Sequence, residues 1–119
     1  MPPSAPFTEA ITHVLEAYRA AKVHAADTLA DLLTPGVLVV PAGIEDNRLD
    51  ASVVNVELTL YLVAAGYDSH AVASLDQLLA TGRQLGLVGP TAHAVSLTAP
   101  NHNAGGLPAL ETTINLEVS

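Results

Sequence analysis

The sequence predicts an α+β domain: a mostly antiparallel four-stranded sheet with two helices on one face, in the order α-β-β-α-β-β. Residues 53–63 and 109–118 alternate apolar and polar side chains, as half-buried strands do. Residues 8–33 and 69–85 instead space their apolar side chains at helical intervals. With 119 residues, half of them apolar, the chain is expected to form a single domain over residues 1–119.

The first helix is expected to begin at Thr8 and to end before Thr34-Pro35-Gly36. A helix over residues 8–33 would be about 39 Å long, whereas a compact chain of this size has a radius of gyration of roughly 13 Å. The helix therefore either crosses the whole domain or breaks between Ala20 and Val23, where its apolar stripe is weakest. Its apolar positions are Phe7, Ile11, Val14, Leu15, Tyr18, Ala25, Leu29, Leu32 and Leu33.

A short β-branched strand is predicted at residues 37–40, closed by Pro41-Ala42-Gly43. A polar loop then leads into the long second strand. If residues 51–64 are all extended they span about 45 Å, so part of this strand should project or bend at a bulge. Projecting hairpins and uncovered strand edges pair readily with other chains, and the predicted long hairpins therefore favour assembly. The expected inward residues of the second strand are Val54, Val56, Leu58, Leu60 and Leu62.

The second helix is expected to begin at Asp68 or Ser69 and to fray through Gly82, Gly86 and Gly89-Pro90. A third strand at residues 93–98 and the terminal strand, joined by a turn-rich segment, complete the sheet as a long hairpin. The expected apolar positions are Val72, Leu75, Leu78, Leu79 and Leu85 in the helix, and Leu110, Ile114, Leu116 and Val118 in the terminal strand.

Composition excludes several classes of function. The chain has no cysteine, so it contains neither a disulfide nor a thiolate nucleophile. Four Lys and Arg against twelve Asp and Glu give a formal net charge of −8, and an acidic surface repels phosphate, so direct nucleic-acid recognition is not expected. No apolar run approaches the ~20 residues of a membrane span, and the first residues lack the basic start of a signal peptide. We expect a soluble protein, made in the cytoplasm, with no membrane partner.

No motif in the sequence supplies a reaction. The five histidines include no pair at the i, i+4 spacing of a helical metal site. The glycines near residue 86 follow a helix rather than precede one, and Lys22 is the only lysine, so a phosphate-binding loop is excluded. Glu45, Asp46 and Asp50 form an acidic loop, but Arg48 interrupts it and its spacing differs from that of a calcium loop. We expect no enzyme, no catalytic residue, no metal and no cofactor.

Five features taken together point to a family: the chain length, the amino-terminal helix closed by Thr34-Pro35-Gly36, the strand at residues 54–62, the helix containing Leu75-Asp76-Gln77-Leu78-Leu79, and the terminal strand at residues 111–118. Over essentially its full length the chain resembles the tail terminator proteins of long-tailed, siphovirus-type bacteriophages. The resemblance implies a non-enzymatic virion protein that assembles in the host cytoplasm. It would close into a hexameric ring at the head-proximal end of the tail, cap the tail tube, stop its polymerisation and join the tail to the head connector.

The same resemblance implies three kinds of partner: other copies of the chain, the tail tube protein and the head–tail connector proteins. DNA would pass through the lumen of the ring without specific binding. The polar loops at residues 41–51 and 99–108 are attached to long hairpins and are expected to contact neighbouring subunits or rings. The candidate interface residues in these loops are Glu45, Asp46, Arg48, Asp50, Asn101, His102 and Asn103.

Two alternatives to the tail terminator stay open. The first is a head-completion, connector or tail-tube-like protein, which keeps the structural class and moves the protein to another layer of the particle. The second is a small ligand-binding or isomerase-like α+β domain, with a pocket between helix and sheet.

Overall fold

The computed structural model describes residues 5–46, 52–64, 69–97 and 107–118, which form two helices on one face of a five-stranded sheet. The predicted α+β class is confirmed. The helices are α1 (Pro6–Ala20) and α2 (Ser69–Leu85), and a short 3₁₀ helix spans Leu29–Asp31. The strands are β1 (Ala25–Ala26), β2 (Gly36–Asp46), β3 (Val54–Val63), β4 (Ala92–Leu97) and β5 (Leu107–Val118).

The strands lie in the order β1-β2-β3-β5-β4. Strand β1 runs parallel to β2, whereas the other neighbouring pairs are antiparallel. The prediction of a mostly antiparallel four-stranded sheet in the order α-β-β-α-β-β is therefore wrong in strand count and in element order, because β1 adds a parallel edge strand between α1 and β2. Its two residues are too few to produce an alternating pattern in the sequence.

Helix α1 ends at Ala20, so the predicted continuation to residue 33 is wrong and the predicted break is confirmed. Lys22 adopts a left-handed conformation with φ of 63°. The backbone N–H of Val23 donates to the Tyr18 carbonyl at 2.9 Å, and that of Lys22 donates to the Arg19 carbonyl at 2.9 Å. These two bonds form the Schellman pattern, which satisfies the last carbonyls of a helix and turns the chain away from its axis.

The sheet has two different faces. On the helix face, α1 and α2 cover the buried side chains of β3, among them Leu58, Leu60 and Leu62. Each of these leucines contributes about 1.5 to 3 kcal/mol by leaving water. On the outer face, the segment after β1 covers a second, smaller cluster. Leu32 belongs to it, because the chain that leaves α1 crosses to this side of the sheet. The outer cluster consists of Ala26, Leu32, Leu38, Val63, Leu107 and Ala109.

Strand β2 continues past the predicted stop at Pro41-Ala42-Gly43 and ends at Asp46. Pro41 pairs with Leu58 and Gly43 pairs with Glu57, so Ala42 is an extra residue without a partner in β3. Such a bulge lets an edge strand pass through a Pro-Ala-Gly segment without ending. The sequence predicts a projection or a bulge within residues 51–64, whereas the bulge lies in the neighbouring strand β2.

The predicted buried stripe of helix α2 is confirmed at Leu78, and Leu79 packs against the core, but the prediction is wrong at Val72 and Leu85, which are exposed. Ala71, Ser74 and Leu78 are buried, while Val72 is 64% exposed. Gly82 lies inside the helix and is itself buried, so the predicted fraying at this position is wrong. The helix ends at Leu85, directly before the predicted Gly86, whose φ of 70° favours glycine.

The molecule measures 48 × 26 × 24 Å along its principal axes. It is elongated because β2, β3 and β5 are longer than the outermost strands. Strand β1 pairs only with Val37 and Leu38, and β4 pairs only with residues 107–112. Beyond these pairs the sheet narrows to three strands. We call this part the three-stranded end, and it consists of residues 43–46 of β2, 54–57 of β3 and 115–118 of β5.

Candidate assembly surface

Both outer borders of the three-stranded end carry backbone groups without a strand partner among the described residues. On one border β2 has no neighbour beyond Leu38 except β3. On the other, β5 has no neighbour beyond Thr112 except β3. Within the described segments no further backbone hydrogen bond reaches residues 43–46 or 115–118. Free strand edges are templates for pairing with another chain.

The border of β5 becomes free at a defined point, next to Thr112. The Thr112 hydroxyl accepts a hydrogen bond from the Gly89 N–H at 2.9 Å and donates one to the Thr91 carbonyl at 2.9 Å. Gly89 also lies against the carbonyl of Thr113, where a β-carbon would collide with that oxygen. The chain before β4 is thus held at Thr112, and Ile114 onward is left uncovered on this side.

The outer face of the three-stranded end is acidic. Glu45, Asn55 and Glu117 lie in one row across the three strands, and Gly43, Glu57 and Asn115 lie in the next. Shallow recesses of about 440 and 190 Å³ lie among these side chains. The described residues of this end include no Lys, Arg or His. The three described cations, Arg19, Lys22 and Arg83, lie in α1, in the turn after it and in α2.

The helix face of the same end is apolar and unevenly covered. Ala10 in α1 packs into the core with Val54, Val56 and Val118. Ile44 lies in one row with Val56 and Leu116, yet it is 49% exposed. The opposite border, along β5, carries a recess of about 270 Å³ beneath α1. It is lined by Glu9, Ala10, His13, Leu116, Glu117 and Val118.

Tyr61 and Glu111 face each other on the outer face, between the acidic end and the small cluster. Burial raises the pKa of Tyr61, and its hydrogen bond with the Glu111 side chain and the negative charge of Glu111 raise the pKa further. The phenol therefore keeps its proton and lies beside an accepting carboxylate. This pair continues the polar surface toward the middle of the sheet.

A separate cleft of about 460 Å³ lies on the helix side, between the turn after α1 and α2. Its size is within the range of small-molecule sites. Lys22 and His24 are on one side of it, and the His24 Nε2 atom lies 3.1 Å from the Asp31 carbonyl oxygen. Gln77 and Gln84 are on the α2 side. The cleft thus combines one lysine with a histidine and two glutamine side chains.

Within the described residues no group of three or more His, Asp or Glu side chains is arranged to hold a metal ion. Neither helix of the described chain is long and apolar enough to span a membrane.

Of the predicted interface residues, the structure places two. Glu45 lies on the acidic outer face, and Asp46 is the last residue of β2, opposite Val54. Both belong to a strand, so the predicted polar loop begins later than expected. The other five, which are Arg48, Asp50, Asn101, His102 and Asn103, lie outside the described residues.

The residues that join Glu45 on this surface are Asn55, Glu57, Asn115 and Glu117, which the sequence reasoning did not select. The alternation in the sequence places them on the polar side of their strands. It does not indicate that β3 lies between β2 and β5, and only this strand order brings the polar residues together.

Comparisons with protein-family models, with curated proteins and with solved structures gave no match to this chain.

Proposed function

We propose that this protein is a structural virion protein: a tail terminator that forms a ring on the tail tube, stops its polymerisation and joins the tail to the head connector. The observation that supports the proposal most is the three-stranded end. It has a free backbone border on each side within the described residues, and its outer face carries carboxylates and amides. No enzymatic activity, cofactor or membrane contact is part of the proposal.

A ring follows from the two free borders if each copy pairs one border with the opposite border of the next copy. Such a contact is heterologous, and it gives a ring when the rotation closes. Six copies, each adding three strands, would form a closed sheet of about 18 strands, a size that leaves an aqueous channel. The helices would lie on the outside, because the outer layer of a closed sheet has the larger circumference.

In that arrangement the acidic outer face of the sheet, which is the face opposite the helices, would line the inside of the channel. Glu45, Glu57 and Glu117 of every copy would face the passing DNA, and no cation of the described end would lie among them. A channel lining that carries charge of one sign exerts an electrostatic force on DNA along the whole length of the channel. Phosphates are repelled by these carboxylates, so the genome slides without binding.

Electron microscopy of purified tails tests this function. With the protein labelled by a specific antibody, we expect label at the head-proximal end of the tail tube and a six-fold ring in averaged end views. Tails assembled without the protein should vary in length and fail to join heads. Label along the whole tube, or on the head side of the connector, would support a tail-tube-like or head-completion protein instead.

Charge reversal tests the channel lining. Glu57→Lys places a cation on the acidic face, whereas Glu16→Lys places one on the exposed surface of α1. We expect particles with Glu57→Lys to assemble but to release DNA more slowly, and particles with Glu16→Lys to behave like wild type. Equal release rates in both variants would contradict a DNA-facing position of Glu57.

The cleft beside Lys22 favours a second candidate, a small ligand-binding domain. It predicts a protein that remains monomeric, is absent from particles and gains thermal stability from a small anionic compound. Lys22→Ala should remove that gain. A ring at the end of the tail would exclude this candidate as the main function.

A further inference from the structure

An exposed isoleucine at one border of the sheet matches a recess at the other border. Ile44 lies on the helix face of β2, beside the free edge, and half of its side chain is exposed. Large apolar side chains are normally buried. Helix α1 covers the β5 side of this end, where Glu9, Ala10 and His13 line the recess with residues 116–118. The helix thus leaves Ile44 bare and forms a groove at the opposite border.

The projection and the recess lie at the same height along the strands. Ile44 is opposite Val56, and Val56 is opposite Leu116. A second copy placed beside the first, without displacement along the strands, therefore brings its Ile44 next to Leu116 of the first copy. Both residues lie on the helix face, so the isoleucine enters beneath α1.

We infer that Ile44 of one copy occupies the recess between α1 and β5 of the next copy, with β2 and β5 paired edge to edge. Both strands run antiparallel to β3, so they point in the same direction. Pairing between copies is then parallel and keeps the helices of all copies on one side. This contact deepens the proposed ring and rests on it, because it names the two surfaces that close the ring.

Pro41 and the bulge at Ala42 limit the contact to the three-stranded end. Proline has no N–H to donate, and it is tolerated in edge strands for this reason. Beyond the bulge, residues 43–46 keep their backbone donors. They match residues 115–118 of β5 in number and height, so the two borders have equal length.

The same alignment also places two negative charges side by side, and salt should weaken the repulsion between them. Glu45 of one copy would lie beside Glu117 of the next on the outer face, because these two residues share a row. Like charges on neighbouring strands are destabilising, and salt screens exposed charges. Association should therefore increase with ionic strength, and Glu117→Gln should strengthen it.

Sedimentation and cysteine cross-linking test the contact. Native association is measured for wild type, Ile44→Asp, Val72→Asp and Glu117→Gln at increasing protein and salt concentration. Val72 is a matched control, since it is an exposed aliphatic residue on α2, a helix that contributes no residue to the recess. We expect Ile44→Asp to abolish association, Val72→Asp to leave it unchanged and Glu117→Gln to raise it, with the folding of every variant checked by thermal unfolding.

The chain has no cysteine, so introduced cysteines report single contacts. Mixing Ile44→Cys with Leu116→Cys should give a 44–116 disulfide under oxidation, and each variant alone should give little dimer. A 44–44 disulfide would overturn the heterologous contact. Equal association of Ile44→Asp and wild type would overturn it as well, as would a wild type that stays monomeric at its highest soluble concentration in high salt.

These outcomes separate the contact from the proposed function. A ring on the tail tube that still forms with Ile44→Asp would leave the tail terminator standing and reject this pairing. Strong 44–116 cross-linking of a protein that is absent from phage particles would retain the pairing and reject the tail terminator.

Discussion

The hydroxyl of Tyr18 lies against Gly82, so near that a β-carbon at residue 82 would be 2.8 Å from the hydroxyl oxygen. This approach brings the carboxyl-terminal ends of α1 and α2 together above the sheet. Tyr18 is fully buried, and its hydroxyl has no hydrogen-bond partner among the described residues. Close packing between the helices thus leaves one buried polar atom, the Tyr18 hydroxyl oxygen, without a hydrogen bond among the described residues.

Removing this hydroxyl should stabilise the protein. A buried hydroxyl without a partner costs about 1 to 3 kcal/mol, so we expect Tyr18→Phe to raise the free energy of unfolding by about 1 kcal/mol. Tyr61→Phe is the matched control, because the Tyr61 hydroxyl bonds to Glu111, and it should leave stability equal or lower. Urea unfolding measures both. A large loss of stability in Tyr18→Phe would show that its hydroxyl is satisfied in solution.

Stability should fall at alkaline pH, in part through the same residue. Burial raises the pKa of Tyr18 from 10.0 to about 12. Below pH 10 the phenol is protonated in the folded and unfolded states alike. Between pH 10 and about 12 the unfolded state loses this proton first and binds fewer protons than the folded state, so stability decreases as pH rises.

The full decrease from Tyr18 is on the order of 2 to 3 kcal/mol, and Tyr18→Phe should lack it. Tyr61, whose pKa is also raised, keeps its own contribution in that variant. Urea unfolding across this pH range compares the two proteins. Identical pH dependence of wild type and Tyr18→Phe would contradict the burial of the phenol.

Alanine at residue 82 should destabilise α2 although alanine is the better helix former. Its β-carbon would be 2.5 Å from Val88 Cγ2 as well as near the Tyr18 hydroxyl. Overpacking of this kind costs about 1 to 3 kcal/mol, against a propensity gain of about 1 kcal/mol. We expect a net loss in Gly82→Ala, measured by thermal unfolding. The double variant with Tyr18→Phe should recover only part of it, since Val88 still obstructs the β-carbon.

The contribution of Thr112 to stability should depend on its hydroxyl group rather than on its side-chain volume. Thr112→Val keeps the volume but leaves the Gly89 N–H and the Thr91 carbonyl without this partner. Each of these part-buried hydrogen bonds contributes about 0.5 to 1.5 kcal/mol, so we expect a loss of about 1 to 2 kcal/mol. Thr112→Ser should retain most of the stability. Thr113→Val, on the outer face of the same strand, should change it by less than about 0.5 kcal/mol.

Glycine at residue 22 should stabilise the turn that ends α1. Lys22 has a φ of 63°, which costs a side-chain-bearing residue about 1 kcal/mol. Lys22→Gly should therefore raise the unfolding free energy by about 0.5 to 1 kcal/mol. The preceding Ala21, with φ of −86°, provides the control: Ala21→Gly should lower it. A destabilised Lys22→Gly would mean that the lysine side chain contributes more than the turn costs.

The long strands could be predicted because their alternation is nearly perfect and each position has only two choices of face. The residue at which α1 ends was harder to predict from the sequence. Leu29 and Leu32 continue a helical spacing, yet they pack on the other side of the sheet. The only local signals against the helix were weak, since lysine at residue 22 gives no hint of a left-handed conformation.

The assembly surface depends on strand order, which no single stretch of sequence contains. Glu45 and Glu117 are far apart in the chain, and they share a row only because β3 lies between their strands. Gly82 shows the same limitation inside the core. In the sequence it indicates a helix end, whereas in the fold it makes room for Tyr18.

The unpaired Ala42 has a consequence for variation in chain length. Counting alternate residues from Leu38, a regular strand would direct Ile44 outward and Glu45 toward the helices. The additional residue inverts this parity, so that the carboxylate faces outward and the isoleucine shares a side with α1. Deleting Ala42 would therefore remove the extra residue and leave Ile44 and Glu45 on their present sides, whereas a tip in which Ala42 took its own place opposite β3 would have the two sides exchanged.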